Sequence, residues 1–150
     1  FGRPSVPNFT DADAPFEIGR AYLLEEGEDV TIFACGHLVW EALLAADILA
    51  SQGVKAEVIN VATIKPLDES TVLASVRKTR CAVVAEEHNM AGGLGECLAG
   101  LFSEKCPTPL RYINGADKFG QSGTPAELMK AYGLDAEHIV AAAREAIKCK

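Results

Sequence analysis

The side chains best suited to catalysis or ligand binding follow an apolar run at residues 81–85. Glu86, Glu87 and His88 come directly after it, and a glycine-rich turn at residues 92–95 then enters a helical pattern. Carboxylates and an imidazole are suited to proton transfer, while backbone N–H groups at the start of a helix can hold an anion. We expect His88 to be the best functional candidate, and Glu86 and Glu87 to face solvent or an interface.

The patterns that would complete a recognised site are missing. A dinucleotide fingerprint built on Gly93 and Gly95 needs a third small residue at position 98, where Leu98 stands, and no Gly-Lys-Ser/Thr phosphate loop occurs. Three glutamates around the turn would also repel a phosphate, and no serine or cysteine lies in a nucleophile elbow. We therefore predict no catalytic residue and no nucleotide site. We expect the loop around Asp117 to be an interface rather than a catalytic segment.

The cysteines give no sign of a metal site or a disulfide framework. There are five, at positions 35, 81, 97, 106 and 149, and no two have the spacing of a zinc ribbon or a redox pair. We interpret them as small buried hydrophobic side chains in a reducing, cytoplasmic environment.

Composition limits the number of domains and the kinds of partner that the chain can have. A chain of 150 residues with a net charge of −7 is the size of one domain, and its acidity argues against nucleic-acid or anionic-membrane partners. No apolar run approaches the ~20 residues that span a bilayer.

The hydrophobic pattern predicts strands alternating with helices. Short apolar runs at residues 30–34, 56–61, 81–85 and 110–113 are each followed by a helical pattern, and a further helix follows at residues 136–148. Such alternation indicates an α/β fold with a mainly parallel sheet and helices on both faces. Residues 1–15 hold three prolines and start without methionine, so we expect a linker from a missing upstream domain, followed by one domain over residues 16–150.

Several segments resemble the C-terminal domain of the transketolase superfamily. The segments are residues 29–37, 58–61, 63–68 (Thr-Ile-Lys-Pro-Leu-Asp), 86–95, 117–123 (Asp-Lys-Phe-Gly-Gln-Ser-Gly) and 132–134. The similarity covers roughly residues 16–148, and the Phe-Gly-x-Ser-Gly stretch is closest to transketolase itself.

The resemblance implies a three-layer α/β/α domain around a five-stranded mixed sheet, with the extra strand taken from residues 16–24 or from the early apolar run. It implies an enzyme that uses thiamine diphosphate and a divalent metal to move two-carbon ketol units between sugar phosphates, as a homodimer. The cofactor would lie in other domains or a separate chain, with none bound by this chain alone, and the pathway would be that of the pentose phosphates.

The same resemblance assigns roles to four residues. Arg3 matches the arginine that binds the substrate phosphate, and the chain otherwise supplies dimer contacts. His88, Glu87 and Asp117 would lie at an interface or at the edge of the site.

Two other interpretations stay open. The domain could belong to a deoxyxylulose phosphate synthase or to the beta subunit of a 2-oxoacid dehydrogenase. It could also be a standalone flavodoxin-like module that binds an anion or a partner protein.

Overall fold

The computed structural model describes residue 10 and residues 13–150, and within them the chain forms alternating strands and helices. In chain order these are β1 (Tyr22–Glu25), β2 (Val30–Ala34), α1 (Leu38–Ser51), β3 (Ala56–Asn60), α2 (Glu69–Thr79), β4 (Ala82–Ala85), α3 (Leu94–Lys105), β5 (Leu110–Ile113), α4 (Pro125–Ala131) and α5 (Ala136–Ile147).

The five strands form one mixed sheet in the order β1-β3-β2-β4-β5. The pairs β3–β2, β2–β4 and β4–β5 are parallel, and β1 runs antiparallel to β3 with Leu23 opposite Ile59. The prediction of a five-stranded mixed sheet is confirmed.

The extra strand is shorter than the segment predicted for it. It begins at Tyr22 because residues 17–20 form a turn, closed by a 3.1 Å bond from Arg20 N to Glu17 O and a left-handed Gly19. The N–H of Ala21 is then donated to the Asp68 carboxylate rather than to a strand.

Two hydrophobic cores make the predicted three layers. On one face of the sheet, α1 and α5 pack against inward side chains such as Ile32, Val58 and Val83. On the other face, α2 and α3 cover Phe33, Ile59 and Val84. Because the central strands are buried on both faces, they read as continuous apolar runs rather than as alternating ones.

Side-chain caps fix the starts of three helices. Asp68, Thr124 and Asp135 each accept a hydrogen bond from the backbone N–H three residues ahead, and Thr124 and Glu127 form the complete capping box. None of the helices in the described part of the chain is long and apolar enough to cross a bilayer.

The loops that follow the four parallel strands β2, β3, β4 and β5 lie at one edge of the sheet. From β2 the chain crosses to β3 on one side, whereas from β4 it crosses to β5 on the other side. The connections that follow the neighbouring strands β2 and β4 therefore run in opposite directions. A topological switch of this kind is where open α/β sheets form a ligand crevice.

Candidate functional site

A groove of about 390 Å³ lies at the carboxyl ends of β4 and β5. It is formed by the loop between β4 and α3, the loop between β5 and α4, and α4 with the turn after it. Its lining includes the polar side chains of Glu87, His88 and Lys118 and the apolar surfaces of Leu128, Tyr132 and Leu134.

Glu86 faces inward, so the prediction that it meets solvent or an interface is wrong. Its side chain is only 2% exposed, and its two carboxylate oxygens accept hydrogen bonds from Leu94 N at 2.7 Å and from Gly95 N at 2.8 Å. These N–H groups have no partner within the first turn of α3, and a negative charge is favoured at that end of a helix. Glu86 therefore supplies the anion that the glycine-rich turn was suited to hold.

A second carboxylate takes another N–H of the same turn. The Glu96 side chain accepts from Gly92 N at 2.6 Å. Gly93 and Gly95 leave room for Glu86, since a Cβ built on Gly93 would lie 2.3 Å from one of its carboxylate oxygens. The turn is thus built around the chain's own side chains.

Hydrogen bonds join the two loops that border the groove. Gly115 N donates to His88 O at 2.9 Å, and Asn89 Nδ2 donates to Asp117 Oδ1 at 3.4 Å. The structure thereby brings the predicted site-edge residues His88, Glu87 and Asp117 to one end of the sheet, where Glu87 and His88 are exposed. Their functional roles stay predictions.

Asn89 and Tyr132 contribute to this site, although neither was assigned a role from the sequence. Tyr132 Oη donates to Phe119 O at 2.8 Å and so holds the loop after β5. Both contacts join segments at least 13 residues apart, and no local motif signals them.

Cys35 lies at the carboxyl end of β2, close to Glu86. Its burial, and secondarily the negative charge of Glu86, raise the pKa of the Cys35 thiol to about 11. The thiolate is the nucleophilic form, so this thiol is unreactive near neutral pH.

The Thr63–Asp68 segment anchors the chain where it enters the domain. Gly19 N donates to Thr63 Oγ1 at 2.9 Å, and Ala21 N donates to Asp68 Oδ2 at 3.0 Å. Burial by itself raises the pKa of Asp68, but hydrogen bonds from Ser70, Ala21 and Thr71 outweigh it and hold that pKa well below its ordinary value.

The described residues do not fit thiamine diphosphate or its metal. No group of three His, Cys, Asp or Glu side chains capable of holding a metal occurs within them. The helix start best suited to a phosphate is filled by Glu86. Arg3, the predicted phosphate-binding residue, lies outside the described residues.

Comparison with known proteins assigns the chain to a family. Residues 19–139 match the family described as "Transketolase, C-terminal domain". The chain is 48% identical over 148 residues to a 6-deoxy-6-sulfo-D-fructose transketolase subunit of Clostridium sp. strain MSTE9, covering 99% of this chain and 46% of the relative. It is 44% identical over 123 residues to a 1-deoxy-D-xylulose-5-phosphate synthase of Thermomicrobium roseum, covering 81% of this chain and 20% of the relative.

A solved structure gives the same result for the fold. A chain described as a split gene transketolase in an inactive beta4 tetramer superposes with a TM-score of 0.94 at 42% identity, covering 98% of this chain and 48% of that one. This chain therefore spans about half the length of the transketolase subunits it matches.

Proposed function

Because this chain belongs to the transketolase C-terminal-domain family, we propose that it is the C-terminal domain of a thiamine-diphosphate-dependent enzyme that transfers two-carbon ketol units between sugar phosphates. The observation that carries the proposal is the 48% identity, across nearly the whole chain, to a subunit named as a transketolase. The proposed role of this domain is to form contacts between subunits rather than to perform chemistry.

The inward position of Glu86 supports that division of labour. A domain that bound a cofactor phosphate would present free N–H groups at a helix start, but here the chain's own carboxylates accept from Gly92, Leu94 and Gly95. The same contacts argue against a standalone anion-binding module. We place thiamine diphosphate and its metal in an upstream region or a separate chain.

We further propose that the complete protein self-associates and works in the cytoplasm. The related chain at 42% identity is described as a beta4 tetramer, which supports self-association. All five cysteines are free, as expected in a reducing compartment.

Reconstitution tests the proposal. The 150-residue chain alone should show neither ketol transfer nor thiamine diphosphate binding by calorimetry. The complete enzyme, with its cofactor-binding region restored, should do both. Micromolar cofactor binding by the isolated chain would overturn the assignment of the cofactor to another region.

Arg3 is proposed to bind the anionic group of the substrate. In the complete enzyme, Arg3→Ala should raise KM for phosphorylated sugars, since it removes a charge-assisted contact worth ~1.5–3 kcal/mol. Arg20→Ala, which removes an exposed arginine near the same end of the chain, is the matched control. An unchanged KM in Arg3→Ala would remove Arg3 from the site.

The substrate class needs a direct comparison. One relative is named for 6-deoxy-6-sulfo-D-fructose, whose anion is a sulfonate, so the complete enzyme should be assayed with that sugar beside sugar phosphates. A second candidate, deoxyxylulose 5-phosphate synthesis, is favoured by the 44% identity to such a synthase. Formation of deoxyxylulose 5-phosphate without ketol transfer between sugars would select the second candidate.

A further inference from the structure

Phe119 lies beside the groove but does not occupy it. Its side chain is 98% exposed, and it stands in the loop between β5 and α4. A fully exposed aromatic ring leaves about 150–250 Å² of mostly apolar surface in water. The groove beside it is lined by the half-buried side chains of Leu128 and Tyr132, whose exposed apolar surface the ring does not cover.

The loop is built to hold Phe119 outward. Ala116 and Asp117 both adopt left-handed backbone conformations, with φ values of 52° and 51°, which L-residues avoid for steric reasons. Asn114 Oδ1 accepts from Ala116 N at 3.0 Å, and Lys118 N donates to Gly115 O at 3.3 Å.

The far side of the same loop is also fixed. The Phe119 carbonyl accepts the Tyr132 hydroxyl at 2.8 Å, and the capping box of Thr124 starts α4 five residues later. The backbone of Phe119 is therefore attached to the groove wall while its ring points away. Such strain persists where surrounding contacts over-determine it, and it is concentrated at functional positions.

The groove carries one acidic and one basic side chain, so two copies of it can pair their opposite charges. Glu87 and Lys118 both lie along it, and within residue 10 and residues 13–150 neither makes an ion pair. In an association about a twofold axis, a residue i contacts j of the partner while j contacts the partner's i. If Phe119 of one copy enters the groove of the other, the adjacent Lys118 arrives beside the partner copy's groove carboxylate.

We propose that a second copy of this chain docks on this groove by reciprocal exchange of Phe119. Each ring packs against Leu128 and Tyr132 of the other copy, and Lys118 and Glu87 pair across the interface in both directions. The inference rests on the proposed self-association and names the surface that mediates it.

The test is analytical ultracentrifugation of the full 150-residue chain over a concentration series. Phe119→Ala should raise the dimer dissociation constant about 30-fold or more, as expected for a central aromatic anchor. Phe16→Ala is the matched control, because it removes a phenylalanine that is 70% exposed and lies before β1, outside the groove lining. Unchanged far-ultraviolet circular dichroism verifies that each variant folds.

Charge reversal provides an independent arm. Lys118→Glu and Glu87→Lys should each weaken association. Each substitution puts two like charges in both of the symmetry-related pairs at the interface. The double variant should restore it to within about threefold, since single pairs at an interface rim contribute little.

The outcomes distinguish an error in this docking surface from an error in the proposed self-association or in the enzyme assignment. If the wild-type chain associates and Phe119→Ala associates equally well, the surface is wrong and self-association stands. If the wild-type chain stays monomeric up to about 1 mM, this surface is overturned, while ultracentrifugation of the complete enzyme still tests self-association and the ketol-transfer assay tests the enzyme assignment. If Phe119→Ala instead abolishes only binding to the cofactor-binding chain, the occupant is that chain and not a second copy.

Discussion

The loops after β4 and β5 look alike in sequence and behave oppositely in the structure. Both follow a short strand at the same edge of the sheet, and both are rich in glycine and polar residues. The first turns Glu86 inward onto the start of α3, whereas the second leaves Phe119 98% exposed. A charged side chain is thus buried and an aromatic one exposed, because hydrogen-bonding partners, not hydrophobicity alone, decide the position of each.

The largest effect should come from removing the inward carboxylate. Glu86→Ala leaves Leu94 N and Gly95 N buried without an acceptor, and it should lower the free energy of unfolding by about 2–4 kcal/mol in urea denaturation. Glu87→Ala, on the exposed neighbour, should change it by less than about 0.5 kcal/mol. Equal effects of the two substitutions would show that the two side chains do not differ in burial as described.

Space in the inward loop can be tested next. Gly93→Ala places a Cβ 2.3 Å from Glu86 Oε2 and 2.8 Å from Asn89 O, so overpacking should cost about 1–3 kcal/mol. Gly100→Ala, in the middle of α3 with nothing within 4 Å, should instead stabilise the fold by about 0.5–1 kcal/mol. Chemical denaturation should therefore give shifts of opposite sign, and a stable Gly93→Ala variant would contradict the close approach of Glu86.

The charge of Glu86 should be visible at Cys35. Burial first, and then Glu86, raise the pKa of this thiol to about 11, so its thiolate forms only at high pH. Glu86→Gln removes the negative charge, lowers that pKa, and should speed alkylation of Cys35 at pH 8–9 about three- to tenfold.

Cys97 is the internal control for that measurement. Burial and Glu69, not Glu86, raise the pKa of its thiol, and it lies on α3, the helix that Glu86 caps. Mass spectrometry of the alkylated peptides should show an unchanged rate at Cys97. Parallel acceleration at both cysteines would mean that the substitution loosens the fold rather than changing local charge.

The smallest effect belongs to the outward loop. Ala116→Gly relieves a left-handed conformation at φ 52°, and it should stabilise the protein by up to about 1 kcal/mol after the extra flexibility of glycine in the unfolded chain is counted. Ala74→Gly, at an exposed position inside α2, should destabilise it by about 0.5–1 kcal/mol. Thermal unfolding of both variants measures the difference, and loss of stability in Ala116→Gly would contradict the strain.

Local sequence patterns predicted four strands and the helices that follow them, whereas the fifth strand and the mixed sheet were expected from the family resemblance. Apolar runs such as residues 30–34 predicted buried strands, because this signal acts within one strand. The segment at residues 16–24 contains both a turn and β1, and the sequence did not divide them, since the chain around Gly19 is held by contacts with Thr63 and Asp68, more than 40 residues away.

Tertiary structure decided which side chains near the groove are buried and what they contact. The sequence by itself determined that a carboxylate-rich, glycine-rich loop and an aromatic loop follow two strands, and both loops are among the segments that carry the family resemblance. Only the folded chain decided that Glu86 meets the N–H groups of Leu94 and Gly95, and that Tyr132 holds the carbonyl of Phe119. Spacing along the chain fixes which residues share a turn or a strand face, whereas the order of strands in the sheet fixes which loops meet.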